Sequence, residues 1–428
     1  MKKMINIAVI GLGNVGAYLL NELNKKKKEI ENKTGRKINV EAISAKNINK
    51  KRKFKINKKI FYKNPLNIIK QNKIDILFEL IGQSDGISKK IVEKSLKSKI
   101  HVITANKSLI SKHGEYLALL AEKNKVNLEF EASVAGGIPI LRTIKDGLAT
   151  NKITKVVGIL NGTSNYILTE MERTNKNFSD VLKKAQFLGY AEPNPKFDLN
   201  GNDVLFKIKI LSSLSFNKKI SKFKNLMSGI DNIELKDIKM ANELGMKIKL
   251  LGITEIINGE LFERVHPCLV KKENYIANIN GVMNAVILNA VPVGESVLQG
   301  EGAGPGPTSS SLMSDLLSIL RGNIKYPFGI SYKNRNKINS YDINKYSNSL
   351  YIRLEVYDKP GVLSQITKNL AKYKISIERI IQIPEHKKKT ASIIIITHKT
   401  NELNSNKCLK SFKSNNNILK KPTLIRLF

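Results

Sequence analysis

Ile5-Asn6-Ile7-Ala8-Val9-Ile10-Gly11-Leu12-Gly13-Asn14-Val15-Gly16 is an apolar run ending in three spaced glycines, and Ala17–Leu23 continues it at helical spacing. The order predicts strand, tight turn and helix. In that setting the GxGxxG spacing has a physical meaning: the first glycine permits the turn, the second lets backbone approach a pyrophosphate, and the third lets helix and strand pack. The helix N-terminus adds unpaired N–H groups and a positive dipole. Gly11, Leu12, Gly13, Asn14, Val15 and Gly16 are therefore expected to hold a dinucleotide.

Working outward, Asn39–Ser44, Ile74–Ile81 and His101–Thr104 read as further buried strands, and Ser88–Ser98 as an amphipathic helix. Such alternation predicts an α/β fold with a Rossmann-type, doubly wound parallel sheet over residues 1–129. Residues 130–301 change texture: Val156–Leu160 is strand-like, Asp180–Phe187 and Asn202–Leu214 are helical, and Asp231–Leu250 mixes short polar and helical pieces. This predicts an α+β substrate and dimerisation domain. A glycine loop, Gly300–Gly304, leads into a helix at Thr308–Leu320, so the stretch around 302–322 is expected to return to the first domain. Residues 325–349 are rich in Lys, Asn, Tyr and Ser without a sustained period, and read as a linker. Residues 350–428 then give strand Tyr351–Tyr357, helix Val362–Lys372, strands Ser376–Gln382 and Thr390–Thr397, helix Asn401–Phe412 and strand Thr423–Leu427, a βαββαβ unit.

Composition narrows the function classes. The chain has 428 residues, 41% of them hydrophobic, enough for two or three domains with sizeable cores. No apolar stretch approaches the ~20 residues of a bilayer-spanning helix, so no membrane partner is expected. The start, Met1-Lys2-Lys3 and then Ile7–Ile10, runs into the glycines with no small-residue cleavage site, and reads as a strand rather than a signal peptide. Cys268 and Cys408 lie far apart and fit neither a disulfide framework nor paired metal ligands, which points to a reducing, cytoplasmic setting. The net charge of +37 raises the question of nucleic acid. Lysine far outnumbers arginine, it comes with abundant Asn and Ile throughout, Trp is absent, and no aromatic residues interleave with arginine as stacking platforms. Runs such as Lys25–Lys28 and Lys50–Lys59 read as solvated faces drifting with a biased base composition. No nucleic-acid partner is expected.

Three polar clusters carry chemistry. Ile43-Ser44-Ala45-Lys46 ends the second strand, where an NAD site usually carries an acidic residue and a 2′-phosphate wants a cation. Lys46 and the basic Lys50–Lys53 stretch favour NADP(H), with NAD(H) the alternative. Thr104-Ala105-Asn106-Lys107 leaves a strand at its C-terminal end, where open α/β sheets bind ligands; alone, Lys107 would be an ordinary surface lysine. Gly189-Tyr190-Ala191-Glu192-Pro193 precedes Asp198 and Asn200-Gly201-Asn202-Asp203, and then Lys207. With Asn200 as N-cap, Asp203 and Lys207 fall at i and i+4 and share a face with Ile210, Leu211 and Leu214. A solvent-exposed ion pair is the bland alternative.

Together with Glu131–Pro139, Asn161-Gly162-Thr163-Ser164-Asn165-Tyr166 and Gly300–Gly304, these motifs resemble homoserine dehydrogenase in order and type over roughly the first three quarters of the chain. Asp358-Lys359-Pro360-Gly361-Val362-Leu363 opens a unit that resembles an ACT domain, a regulatory amino-acid-binding module. The resemblance implies reversible hydride transfer between L-aspartate 4-semialdehyde and L-homoserine with NADP(H) or NAD(H). It implies Lys207 as acid/base, assisted by Asp203 and Lys107, and substrate contacts from Glu192, Asp203, Asp198, Thr163 and Tyr190. Cofactor contacts would come from the Gly11–Gly16 loop, Lys46, Thr104, Lys107, Gly189 and Gly302. Glu131, Val134, Gly136 and Ile138 match a loop that binds sodium or potassium through main-chain carbonyls, though the segment also reads simply as the inter-domain connection. An amino-acid effector at the ACT-like unit, with threonine the candidate, and a homodimer or homotetramer complete the expectation. A small-molecule sensor would need only the first and last units; the Lys107, Asp203 and Lys207 set argues against it. Asn194 and Asn202 depart from the family pattern, which bears on pocket detail.

Overall fold

The computed structural model describes residues 4–49, 52, 56–71, 73–385 and 389–428. Six strands, β1 (Met4–Ile10), β2 (Lys37–Ser44), β3 (Phe61–Tyr62), β4 (Ile76–Glu79), β5 (His101–Thr104) and β6 (Leu128–Glu129), form one sheet. Its order is β3-β2-β1-β4-β5-β6 and every pairing is parallel. This is the doubly wound arrangement, with the order reversing between β1 and β4. β1 and β4 are almost wholly apolar, as strands covered on both faces must be.

Helix Asn14–Lys25 starts directly after Gly13 and holds Gly16 in its first turn, burying Leu19, Leu20 and Leu23. Against it and β1 packs helix Pro305–Leu320, whose Leu312 and Leu316 join Ile7, Val9 and Leu19 in one apolar cluster. The chain thus leaves the first layer after β6 and comes back to finish it.

The intervening residues build a second, mostly antiparallel sheet from β7 (Lys152–Ile159), β8 (Leu226–Met227), β9 (Met246–Ile257), β10 (Glu260–Lys271), β11 (Met283–Val291) and β12 (Gly294–Glu301). Its helices include Gly162–Thr174, Phe178–Phe187, Asn202–Ser215 and Leu235–Glu243. Helix Asn202–Ser215 lies on the sheet where Gly252 of β9 leaves room: a Cβ there would meet Ile208 and Val204 at 2.5 and 2.7 Å. The mixed polar and helical reading of Asp231–Leu250 resolves into helix Leu235–Glu243 and the start of β9. Residues 248–254 of β9 are buried without alternation, so no period of two marks them as strand.

Two further findings differ from the sequence expectation. The segment 325–349 is strapped down, not a free connection. Arg335 is 1% exposed, donates from Nη2 to Glu115 Oε1 at 2.6 Å and Ser213 Oγ at 2.5 Å, and stacks over the Phe328 ring. Its polar composition misleads because a paired arginine can be buried like an apolar residue. Second, the C-terminal unit shares a sheet with the middle one. After β13 (Ser347–Asn348) come β14 (Leu350–Tyr357), β15 (Ile377–Glu385), β16 (Thr390–Thr397), β17 (Thr400–Asn401) and β18 (Thr423–Leu427). β18 pairs in parallel with β10 through Cys268↔Arg426 and Leu269↔Leu427, giving one ten-stranded sheet. Among the described residues no helix is long and apolar enough to cross a membrane.

Candidate active site

At the C-terminal ends of β1, β2 and β4 lies a cleft of about 1030 Å³. Gly11, at φ +97°, turns the chain under it, and Gly11 N–H donates to the Ser44 carbonyl at 2.8 Å. A Cβ on Gly16 would sit 1.9 Å from the Gly11 carbonyl oxygen, so the third glycine closes the helix onto the turn. Gly13 is different: a Cβ there meets no atom within 4 Å, because the space above it belongs to the cleft. That open cradle, at the N-terminus of a 12-residue helix, fits a pyrophosphate. Leu12, Lys46, Asn47, Arg52 and Lys63 also line the cleft, and none of the described lining residues is acidic. Of the basic stretch Lys50–Lys53, only Arg52 lies within the described residues. Arg52 ties the loop after β2 to the glycine turn, donating to Leu12 O at 2.9 Å and Asn47 O at 2.7 Å.

Beyond β5 the chain enters helix Lys107–Asn124, capped by the Asn106 side chain on Leu109 N–H. Thr104 is fully buried and its hydroxyl donates to Glu79 Oε2 at 2.7 Å, so its side chain serves the strand ends and not the cleft. Glu79 also accepts from Ser88 and from Ile81 N–H. This carboxylate has no motif around it, and sequence reasoning misses it.

Lys107, at the first turn of that helix, reaches the second unit. Its Nζ lies 2.9 Å from Asp203 Oδ1, while Lys207 Nζ donates to Asp203 Oδ2 at 2.8 Å. Asp203 and Lys207 lie one turn apart on helix Asn202–Ser215, 3% and 8% exposed, so the pair is not a solvated surface bridge. The N-cap is Gly201, at φ +88°, rather than Asn200. Asn200 Oδ1 instead accepts from Asn202 N–H at 3.1 Å, because a left-handed residue is needed to turn the chain between two helices. Lys207 also donates to Leu160 O at 2.5 Å. Asn161, the N-cap of helix Gly162–Thr174, donates from Nδ2 to Asp198 Oδ1 and Asp203 Oδ2, both at 2.9 Å. The sequence marks the motif that holds Asn161, but nothing local to it assigns this side chain a task.

The electrostatics follow from burial. Desolvation pushes the Lys207 ammonium pKa down and Lys107 adds to the push, against Asp203. Burial alone would raise the Asp203 carboxyl, but the two lysines outweigh it and hold it below the usual range. Asp203 holds Lys107 above the ordinary lysine value against desolvation. Asp198 is raised by burial and by Asp203. A lysine has three N–H donors, and Lys207 commits two, leaving one for a ligand oxygen.

Around this centre, Thr163 Oγ1 donates to Tyr190 O at 2.6 Å, and the Tyr190 ring packs on Tyr166 with centroids 5.0 Å apart. Glu192 is exposed on the same loop, and its charge acts on Lys107. Gly189 takes φ +76° with open space beside it. A Cβ on Gly302 would lie 1.9 Å from the Asn284 amide, and a Cβ on Gly136 would lie 2.5 Å from the Gly302 carbonyl, so these loops touch through glycine alone. Val134, Gly136 and Ile138 share a buried or half-buried turn with Glu131. Several of its oxygens accept hydrogen bonds within the chain: the Glu131 carboxylate from Leu141 and Arg142 N–H, Gly136 O from Ser311, and Ile138 O from Ile140 N–H. Among the described residues no three His, Cys, Asp or Glu side chains form a metal cluster.

Known proteins resemble the chain along its whole length. Residues 11–131 match the homoserine dehydrogenase NAD-binding domain, 139–317 the homoserine dehydrogenase family, and 350–414 the ACT domain. The homoserine dehydrogenase of Neisseria gonorrhoeae is 38% identical over 431 residues, 99% of each chain. That of Helicobacter pylori is 36% identical over the full length of both. The crystal structure of a homoserine dehydrogenase from Thiobacillus denitrificans, 34% identical, superposes with a TM-score of 0.89 and covers 100% of this chain and 99% of its own. With a doubly wound cofactor layer, a lysine-aspartate-lysine centre facing it and relatives alike from end to end, the chain belongs to the homoserine dehydrogenase family.

Proposed function

We propose that the protein interconverts L-aspartate 4-semialdehyde and L-homoserine, with NADP(H) preferred over NAD(H). The observation that carries this reading is the buried Asp203 carboxylate held between Lys207 and Lys107. When bound, the nicotinamide supplies or accepts the hydride at the carbonyl carbon. Lys207, as an ammonium, gives its uncommitted proton to the aldehyde oxygen as the C–H bond forms; in the reverse direction the neutral amine takes the proton from the hydroxyl. Its lowered pKa suits both tasks. Asp203 fixes the Lys207 ammonium in direction, and Lys107 keeps that ammonium from becoming too weak an acid. Glu192 and Asp198 suit the substrate's amino group, with Thr163 and Tyr190 shaping the wall.

The coenzyme preference rests on Lys46, Arg52 and Lys63, which line the cleft where an acidic ribose reader would otherwise stand. The ACT unit supports control by an end-product amino acid, for which threonine is the candidate. Gly361, at φ +85°, precedes helix Val362–Lys372, and no side chain caps that helix, so its N-terminal turn suits a carboxylate. An effector seated between two such units requires a homodimer or homotetramer. Sodium or potassium at the Glu131–Ile138 loop would be held by main-chain carbonyls and would brace the connection between the first and second units.

The experiment is a spectrophotometric assay of the full chain with aspartate semialdehyde and each of NADPH and NADH. Turnover with NADPH above NADH is expected. No turnover with either in a folded sample overturns the dehydrogenase reading. Threonine should inhibit and raise the melting temperature; absence of both effects removes the regulatory part and leaves the dehydrogenase reading standing.

A further inference from the structure

Lys249 is a buried cation that the hydride-transfer site does not touch. It lies on β9 opposite Cys268, is 1% exposed, and among the described residues its ammonium contacts no carboxylate. Its partners are neutral oxygens: Ile279 O at 2.5 Å, Asn165 Oδ1 at 3.2 Å and Asn280 Oδ1 at 3.2 Å. Burial lowers its pKa to about 8; Lys247 adds to this and Glu172 opposes it. A charge without a counter-ion is costly in a protein interior, and an apolar side chain of similar length would fill the space at lower cost.

What the ammonium holds leads to the site. Asn165, 2% exposed, gives both Nδ2 protons away, to Ile279 O and Met283 O at 3.1 Å, so its Oδ1 must face a donor. Lys249 is that donor and fixes which way the amide points. The 279–283 loop gathered there carries Val282, whose carbonyl would lie 2.8 Å from a Cβ on Gly162, so the first turn of helix Gly162–Thr174 rests on it. Gly281 N–H donates to Thr169 Oγ1 of the same helix. One residue before Gly162 stands Asn161, which grips Asp198 and Asp203.

We propose that Lys249 is a positioning residue for hydride transfer: by clamping Asn165 and the 279–283 loop it sets the start of helix Gly162–Thr174, and through Asn161 the orientation of the Asp203 carboxylate that directs Lys207. The inference rests on the dehydrogenase reading above. In the full-length protein, Lys249→Met should lower kcat about tenfold, in line with the cost of a small misplacement of reacting groups. The KM for NADPH should stay the same, and the melting temperature should hold or rise as an uncompensated charge leaves the interior. An unchanged kcat, or a kcat that falls only with loss of folded protein, overturns the proposal. Asn165→Ala gives the second reading: if Lys249 acts through Asn165, the double variant is no slower than Asn165→Ala alone, whereas multiplying losses refute the route. If Lys249→Met does not fold, Lys249→Gln takes its place in the same cycle. Wild-type turnover run alongside keeps the two failures apart. An inactive wild type removes the dehydrogenase reading, and an active wild type with an unimpaired variant removes only Lys249.

Discussion

Lys207 sits between two opposing influences, burial that disfavours its charge and Asp203 that favours it, and the balance leaves a proton ready to move. Lys207→Ala should lower turnover by ~10²-fold or more, the scale of general-acid loss, while NADPH binding by fluorescence titration persists. Near-normal turnover would remove Lys207 from its role. Its ionisation also sets a pH dependence. Aldehyde reduction needs the ammonium, so the rate falls as pH rises through the Lys207 pKa, which lies below the ordinary lysine value. Lys107 is one cause of that lowering, so Lys107→Met should move the alkaline limb of kcat to higher pH besides reducing kcat; a limb that stays or moves down contradicts the assignment. At the other end of the cofactor, Lys46→Glu should raise the KM for NADPH more than that for NADH. Equal effects would show that Lys46 does not read the ribose.

Glycines in one turn do separate tasks at the level of the element. Gly16 closes helix Asn14–Lys25 onto the turn, where a Cβ would meet the Gly11 carbonyl. Gly13 faces the cleft and meets nothing. Gly16→Ala should therefore lower the melting temperature of the protein without ligand. Gly13→Val should leave that temperature nearly unchanged but abolish the rise that NADPH produces, because the added side chain occupies the phosphate cradle. Differential scanning fluorimetry with and without NADPH separates the two; equal behaviour of both variants would show that the turn does not work this way.

Across the molecule, the ACT unit and the middle unit are joined through shared sheet and buried charge. Arg353 on β14, 2% exposed, reaches Asp237 of helix Leu235–Glu243 through two bonds of 2.7 and 3.0 Å, and Tyr351 adds a third contact at 2.8 Å. Asp237 is fully buried. Arg353→Met should cost about 3–5 kcal/mol in urea unfolding, because it strands a buried carboxylate, and Asp237→Leu in the same chain should recover most of it. A loss below ~1 kcal/mol, the range of a surface pair, would show that the joint is not held here. Cutting the chain before Tyr346 would strip β18 from β10 and Arg353 from Asp237 together, so the proposed response to threonine is better tested in the full chain.

Local order was legible along the sequence wherever short-range physics decides it. The Gly11–Gly16 turn, strand His101–Thr104, helix Val362–Lys372 and strands Thr390–Thr397 and Thr423–Leu427 follow from apolar period and turn residues, which act over a few positions. So does the shared face of Asp203 and Lys207, fixed by helical spacing alone. Tertiary structure decided what those residues meet. No local signal tells that Lys107, 96 positions before Asp203, closes on its carboxylate, or that Glu79, Asn161 and Lys249 are buried as anchors. Nor does any tell that Arg335 lies inside a polar segment, or that β18 pairs with β10 across the unit boundary. Desolvation creates these relations: a charge or an open strand edge becomes costly only when packing takes it from water, and the partner that offsets the cost can stand anywhere along the chain.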